Sequence, residues 1–145
     1  MNKMKKLLFL LAIMGLFMQV QAQEVVTIDV PTVVKDAFQK AYPTINDVAW
    51  SMDGNSFVAE YDVNKVDMSV TYTAEGKLIE TEMEISVSSL PQGVMEYILK
   101  NYKEEEVTET LRVTDAKGIV TYKVEISSFD LIFDSKGNFI KSVKA

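Results

Sequence analysis

The sequence predicts an α+β fold, a tandem repeat of two helix-plus-four-strand units forming one curved antiparallel sheet with both helices on one face. Three observations predict it. The segments 31–87 and 90–145 each open with a proline-led amphipathic stretch, continue as alternating apolar and polar residues, and are punctuated by glycine turns. Val34, Phe38 and Tyr42 recur as Val94, Ile98 and Tyr102, sixty residues on, while Tyr61, Tyr72 and Gly76 recur as Tyr122, Phe133 and Gly137, sixty-one residues on. One extra loop residue accounts for the change. Two such units must bury their apolar faces against common neighbours.

The chain opens with an export leader over residues 1–22. Lys3, Lys5 and Lys6 precede twelve apolar or glycine residues, Leu7 to Met18, and Val20-Gln21-Ala22 is a small-residue cleavage site before Gln23. Twelve residues fall short of the roughly twenty that span a bilayer, so cleavage without a lasting membrane anchor is expected. The product is expected in the periplasm or secreted. There is no cysteine, which excludes a lipid-modified cysteine, disulfides and thiolate metal sites. Residues 23–145 are expected to form a single domain with one shared core, since sixty residues alone bury too little surface.

Each repeat then starts with a helix. Val33, Val34, Ala37, Phe38 and Ala41 share one stripe, and Pro31 and Pro43 suit its start and stop. In the second copy Pro91 leads and Val94, Met95, Ile98, Leu99 and Tyr102 form the stripe. The acidic run Glu104 to Glu106 follows as a solvated loop. Strands are expected over 48–52, 57–63, 66–73 and 77–87, then 106–113, 119–127, 129–134 and 138–144. Glycines 54, 76, 118 and 137 sit in the connecting turns, and the short connections make the pairs antiparallel. Trp50 is placed in the core beside the first helix.

Alternation assigns two faces to this sheet. Phe57, Ala59, Tyr61, Val63, Met68, Val70 and Tyr72, with their second-repeat counterparts from Val120 to Phe133, should meet the helices. The opposite, wet face is the largest surface free to bind. Its candidate binding residues are Glu60, Asp62, Thr71, Glu80, Glu82, Glu84, Lys123 and Glu125.

Composition narrows the chemistry. Three of the fifteen basic residues and none of the twenty-one acidic ones lie in the leader, leaving 12 against 21 and a net charge of −9. Such a surface repels nucleic acid and anionic lipid and favours cations or a basic protein partner. Histidine and cysteine are both absent, removing the commonest general base and the strongest neutral-pH nucleophile. No nucleophile elbow, Ser-x-x-Lys pair or phosphate-binding glycine loop is present. Glu80, Glu82 and Glu84 stand about 7 Å apart along one strand face, too far to converge on a metal alone. Asp62, Asn64 and Asp67 lack the glycine and terminal glutamate of a calcium loop. No cofactor, metal or catalytic residue is assigned.

Val34 through Ala37-Phe38, Tyr42-Pro43 and Val48 to Trp50, followed by strands, Gly76 and Leu90-Pro91, resemble the PepSY-like, β-lactamase-inhibitor-like proteins. The resemblance implies the doubled helix-plus-four-strand unit and a non-enzymatic exported protein. The inhibitor prototype is disulfide-bonded and this chain has no cysteine, so no functional residue carries over. Three readings stand at this point. One is a binding module for an exported protein, peptide or envelope component, using the polar sheet face and hairpin loops. The second is an inhibitor or regulator of a secreted peptidase or hydrolase, and the third a carboxylate-based enzyme.

Overall fold

The computed structural model describes residues 28–144, so the leader and its cleavage site lie outside the described residues. Helix α1 (Thr32–Ala41) precedes strands β1 (Ala49–Asp53), β2 (Ser56–Val63), β3 (Val66–Tyr72) and β4 (Leu78–Glu84). A 3-10 turn (Val87–Ser89) leads to α2 (Val94–Asn101), followed by β5 (Val107–Asp115), β6 (Val120–Ile126), β7 (Phe129–Asp134) and β8 (Phe139–Lys144). The eight strands form one antiparallel sheet in chain order, β1 to β8. The expected architecture is therefore the one observed.

The helices begin and end where local chemistry dictates. Pro31 lacks an amide proton but supplies the carbonyl that accepts from Val34 and Lys35 at 3.0 and 3.1 Å. The second helix starts later than Pro91 suggests, because Gly93 adopts φ +92° immediately before Val94. In both repeats the last hairpin tucks under the helix start. A Cβ on Gly76 would lie 2.8 Å from the Val33 carbonyl oxygen, and one on Gly137 would lie 2.8 Å from that of Gln92. Both glycines also hold positive φ, so the two positions admit no side chain without strain.

The two helices do not share a core. Val34 and Phe38 pack on Phe57, Ala59, Tyr61, Val70 and Tyr72, with Trp50 edge-on to Phe38 at 5.6 Å between ring centroids. Val94 and Ile98 pack on Val124, Ile126, Leu131 and Phe133, where Tyr97 stacks on Phe139 at 4.6 Å. These are separate apolar clusters, correcting the expectation of a single one. A helix is too narrow to cover more than a few strands, and each covers its own repeat. Val33 and Leu99, expected on the buried stripes, are 49% and 63% exposed, Ala41 is exposed, and Tyr97 takes the inward place instead. At the sheet end Val63 is also exposed.

The halves join along β4 and β5, from Glu80 opposite Asp115 to Glu84 opposite Leu111. Thr110, 3% exposed, donates its hydroxyl to the Ile85 carbonyl across this seam at 2.5 Å. Strand register also corrects the repeat alignment. Tyr72 faces Phe57 and Phe133 faces Tyr122, so Tyr122 is the counterpart of Phe57 and not of Tyr61. A longer β5–β6 hairpin and a shorter β6–β7 hairpin, rather than one inserted residue, produce the net shift. The β3–β4 and β7–β8 pairs carry bulges at equivalent places, Thr71/Tyr72 and Ile132/Phe133, which bend and twist the strands.

Candidate functional site

The helix-free face is concave. Residues from Asp47 and Ala49 at one end of the sheet to Lys123 and Glu125 on the sixth strand line a single cleft of about 650 Å³. On a flat sheet β1 and β6 would stand roughly 24 Å apart. Curling also explains why Leu111 and Val113, on the face no helix covers, are only 7% and 8% exposed. Leu111 forms an apolar patch in the cleft wall, with Ser69 and Glu82 close by in the same lining.

All eight residues expected on this face lie on it, as the register requires. Glu60, Asp62, Glu82, Lys123 and Glu125 line the cleft, whereas Thr71, Glu80 and Glu84 lie outside its lining. The face is less wet than alternation implies. Glu80, Glu82 and Glu84 are half-buried because the sheet curls over them, while Glu60 and Asp62 are exposed.

Lys123 organises the centre. Its ammonium lies 3.0 Å from Glu82 and 3.6 Å from Glu125, and the Ser69 hydroxyl donates to the other Glu82 oxygen at 3.4 Å. Burial is the largest single influence on Lys123 and opposes its charge, yet Glu82, Glu125 and Asp130 together outweigh it and the ammonium titrates above its usual value. Glu82 thus ties β3 of the first repeat to β6 of the second.

Around this tie the face is crowded with like charge. Asp62 stands opposite Asp67 and Glu80 opposite Asp115, while Glu125 stands between Glu109 and Asp130. Burial, and then Glu125, Glu84 and Asp67, push the Glu109 carboxyl up, against a smaller opposing pull from Lys123. Burial and Glu82 do the same at Glu80, where Lys123 again pulls the other way and Asp53 and Asp115 add to the rise. Asp62 is raised by its hydrogen bond with Asp67. The cleft lining itself holds seven carboxylates and one lysine. Among the described residues no group of three acidic side chains is arranged to hold a metal ion.

Sequence reasoning missed Asp47, Asp67, Glu109 and Leu111 as cleft residues. Asp67 was weighed only as part of a calcium loop, and it instead faces Asp62 across the β2–β3 hairpin. Glu109 had a signal, the alternation of β5, but its place opposite Glu125 follows from the register of the whole β5–β6 ladder, which alternation within one strand does not give.

A mixed sheet-and-helix repeat of this kind defines a class of small duplicated modules. Two regions, residues 14–80 and 70–141, match the family described as "Putative beta-lactamase-inhibitor-like, PepSY-like", and the chain belongs to it. No curated protein matches the chain. Among solved structures, a Bacteroides eggerthii protein described as periplasmic is 20% identical, covers 79% of this chain and 88% of its own, and has a TM-score of 0.69. A DUF2874 family protein from Bacteroides uniformis is 23% identical with the same coverages and TM-score. A BLIP-like protein from Bacteroides fragilis is 22% identical, covers 79% and 86%, and has a TM-score of 0.59. These likenesses establish the fold. Among the described residues no helix is long and apolar enough to cross a membrane.

Proposed function

We propose that this protein is an exported, periplasmic binding module without catalytic activity, whose concave face takes a cationic segment of a partner protein or peptide. The observation that carries this reading is the cleft lining of seven carboxylates against one lysine. A cationic chain laid in the cleft relieves repulsion that the folded protein otherwise bears, and long-range attraction would steer its approach. The leader supports export, as do the periplasmic descriptions of proteins sharing the fold.

A second reading rests on a specific observation, the BLIP-like description of a structural neighbour. On that reading the same face would hold a basic surface of a secreted hydrolase. Both readings are tested by capture of partners from the native envelope fraction, followed by rate measurements. Glu60→Lys and Asp62→Lys, both on the exposed rim, are expected to slow association, the first with the melting curve intact and the second with a melt unchanged or raised, since it sets an ammonium opposite Asp67. Salt at 0.5 M is expected to slow the unaltered protein likewise, since screening acts within about 10 Å even at 0.1 M. Association rates insensitive to both changes would move the site to the hairpin loops or the helix side.

A further inference from the structure

The register sets acidic residues directly opposite one another in three places on the trough face. Asp62 faces Asp67 across β2–β3, and Glu80 faces Asp115 across β4–β5. Glu109, Glu125 and Asp130 form a continuous row over β5, β6 and β7. Like charges directly opposite on a sheet destabilise it. Asp115 has a second task, accepting from the Lys117 and Ile119 amides at 2.8 Å in the β5–β6 turn, but lysines on neighbouring strands would remove the cost of the remaining pairs. Within the cleft lining one ammonium, Lys123, serves these acids, and it is already committed to Glu82 and Glu125; Lys141, opposite Ile132 on β8, shares the face at its far edge, diagonal to Asp130.

We infer that the trough is a proton-linked device: Asp62, Glu80 and Glu109, each set opposite another carboxylate, take up protons under mildly acidic conditions, which tightens the fold and weakens the hold on a cationic ligand. The second half of this statement rests on the function proposed above; the first half does not. The groups that act on each member are all on the face. Glu109 meets Glu125 and Lys123 from β6, Glu84 from β4 and Asp67 from β3. Glu80 meets Glu82 on its own strand, Lys123 from β6, Asp53 from the end of β1 and Asp115 from β5. Asp62 meets Asp67. In each case the acidic neighbours outnumber or outweigh the lysine.

The direction of the linkage is fixed by the sign of these effects. A carboxyl raised in the folded state binds its proton more tightly there than in the unfolded chain, where Glu80 and Glu109 titrate near 4.5. Stability therefore grows as pH falls through the raised folded values towards 4.5. Glu75 and Asp134 work the other way, their carboxyls lowered by hydrogen bonds from Thr73 and Asn138. They cost stability only once pH falls below their unfolded values of 4.5 and 3.8. The stability maximum belongs between these two regimes, on the acidic side of neutrality.

Two measurements on residues 23–145 test the device. Denaturant midpoints across the range from neutral to pH 4.5 are expected to rise on acidification, and the rise should be much reduced in the isosteric double variant Glu80→Gln/Glu109→Gln. That variant should also be the more stable protein at neutral pH. Midpoints that are flat or fall across the range would overturn the inference, whatever the ligand does. Oligolysine binding at fixed salt is the second arm, with several-fold weaker binding expected at the acidic end and a smaller loss in the double variant. Absence of oligolysine binding at neutral pH would sink the proposed function and leave the stability arm decisive. Binding that strengthens on acidification would overturn the inferred competition between protons and cation.

Discussion

Removing the Lys123 ammonium would leave Glu82 on β4 and Glu125 on β6 on a partly enclosed face without the cation they share. Lys123→Met is expected to cost about 1 to 3 kcal/mol, the range for losing charge-assisted hydrogen bonds of a group held largely out of water. Its side chain is 20% exposed, so solvent compensates little. Adding Glu82→Gln to that variant should recover part of the loss, which chemical denaturation of the two variants would show. The raised titration of Lys123 has its own signature: the stabilisation is complete below 10.5 and fades as pH climbs through the higher folded value. Alkaline melts of the Lys123→Met variant should lack that decline.

At the scale of elements, the helices hold the sheet through very few side chains. Phe38→Ala and Ile98→Ala should each cost about 2 to 5 kcal/mol, because both residues are only 2% exposed at the centre of their clusters. Val33→Ser and Leu99→Ser should change denaturant midpoints little, since those side chains face solvent. The turns beneath the helices are less forgiving. Gly76→Ala and Gly137→Ala are each expected to cost about 1 to 3 kcal/mol, combining unfavourable φ with a Cβ too close to a carbonyl oxygen. Equal losses at both positions would show that the duplicated turn performs one task twice.

Helices, turns and the two sheet faces were legible in the sequence because each depends on spacing within a few residues. Phe38 and Ile98 announce themselves by period, and the turn glycines by type. The trough was not legible, because it depends on which residue faces which across strands that differ in hairpin length between repeats. That is why Tyr61 was matched to Tyr122 when the sheet aligns Phe57 with it. Curvature was expected through the family resemblance, but not its direction: alternation distinguishes two faces and gives no sign of which one closes over Glu82. Leu111 and Val113 look like core residues by composition, and only the bend buries them without a helix.

For the whole molecule, separate clusters joined by a sheet seam imply uneven local stability. Phe38→Ala should lower amide-exchange protection in β1, β2 and β3 more than in β6 and β7, because the second cluster loses no contact. Equal loss in both regions would show that the β4–β5 seam, with Thr110 and the Glu82–Lys123 tie across it, couples the repeats completely.

The order of the strands bears on how the fold is reached. Every strand pairs with its neighbours in the chain, and the one connection in the sheet longer than a hairpin, between β4 and β5, carries α2 within it. No early strand waits for a distant one, so closing each pair costs little loop entropy. A chain arriving N-terminus first can add one strand at a time to a growing edge, and can finish the first repeat with its helix before the second has appeared. Only the acidic face has to wait, for its central lysine comes from the sixth strand: until Lys123 arrives, Glu82 has no ammonium beside it, and the completed trough is among the last features to form.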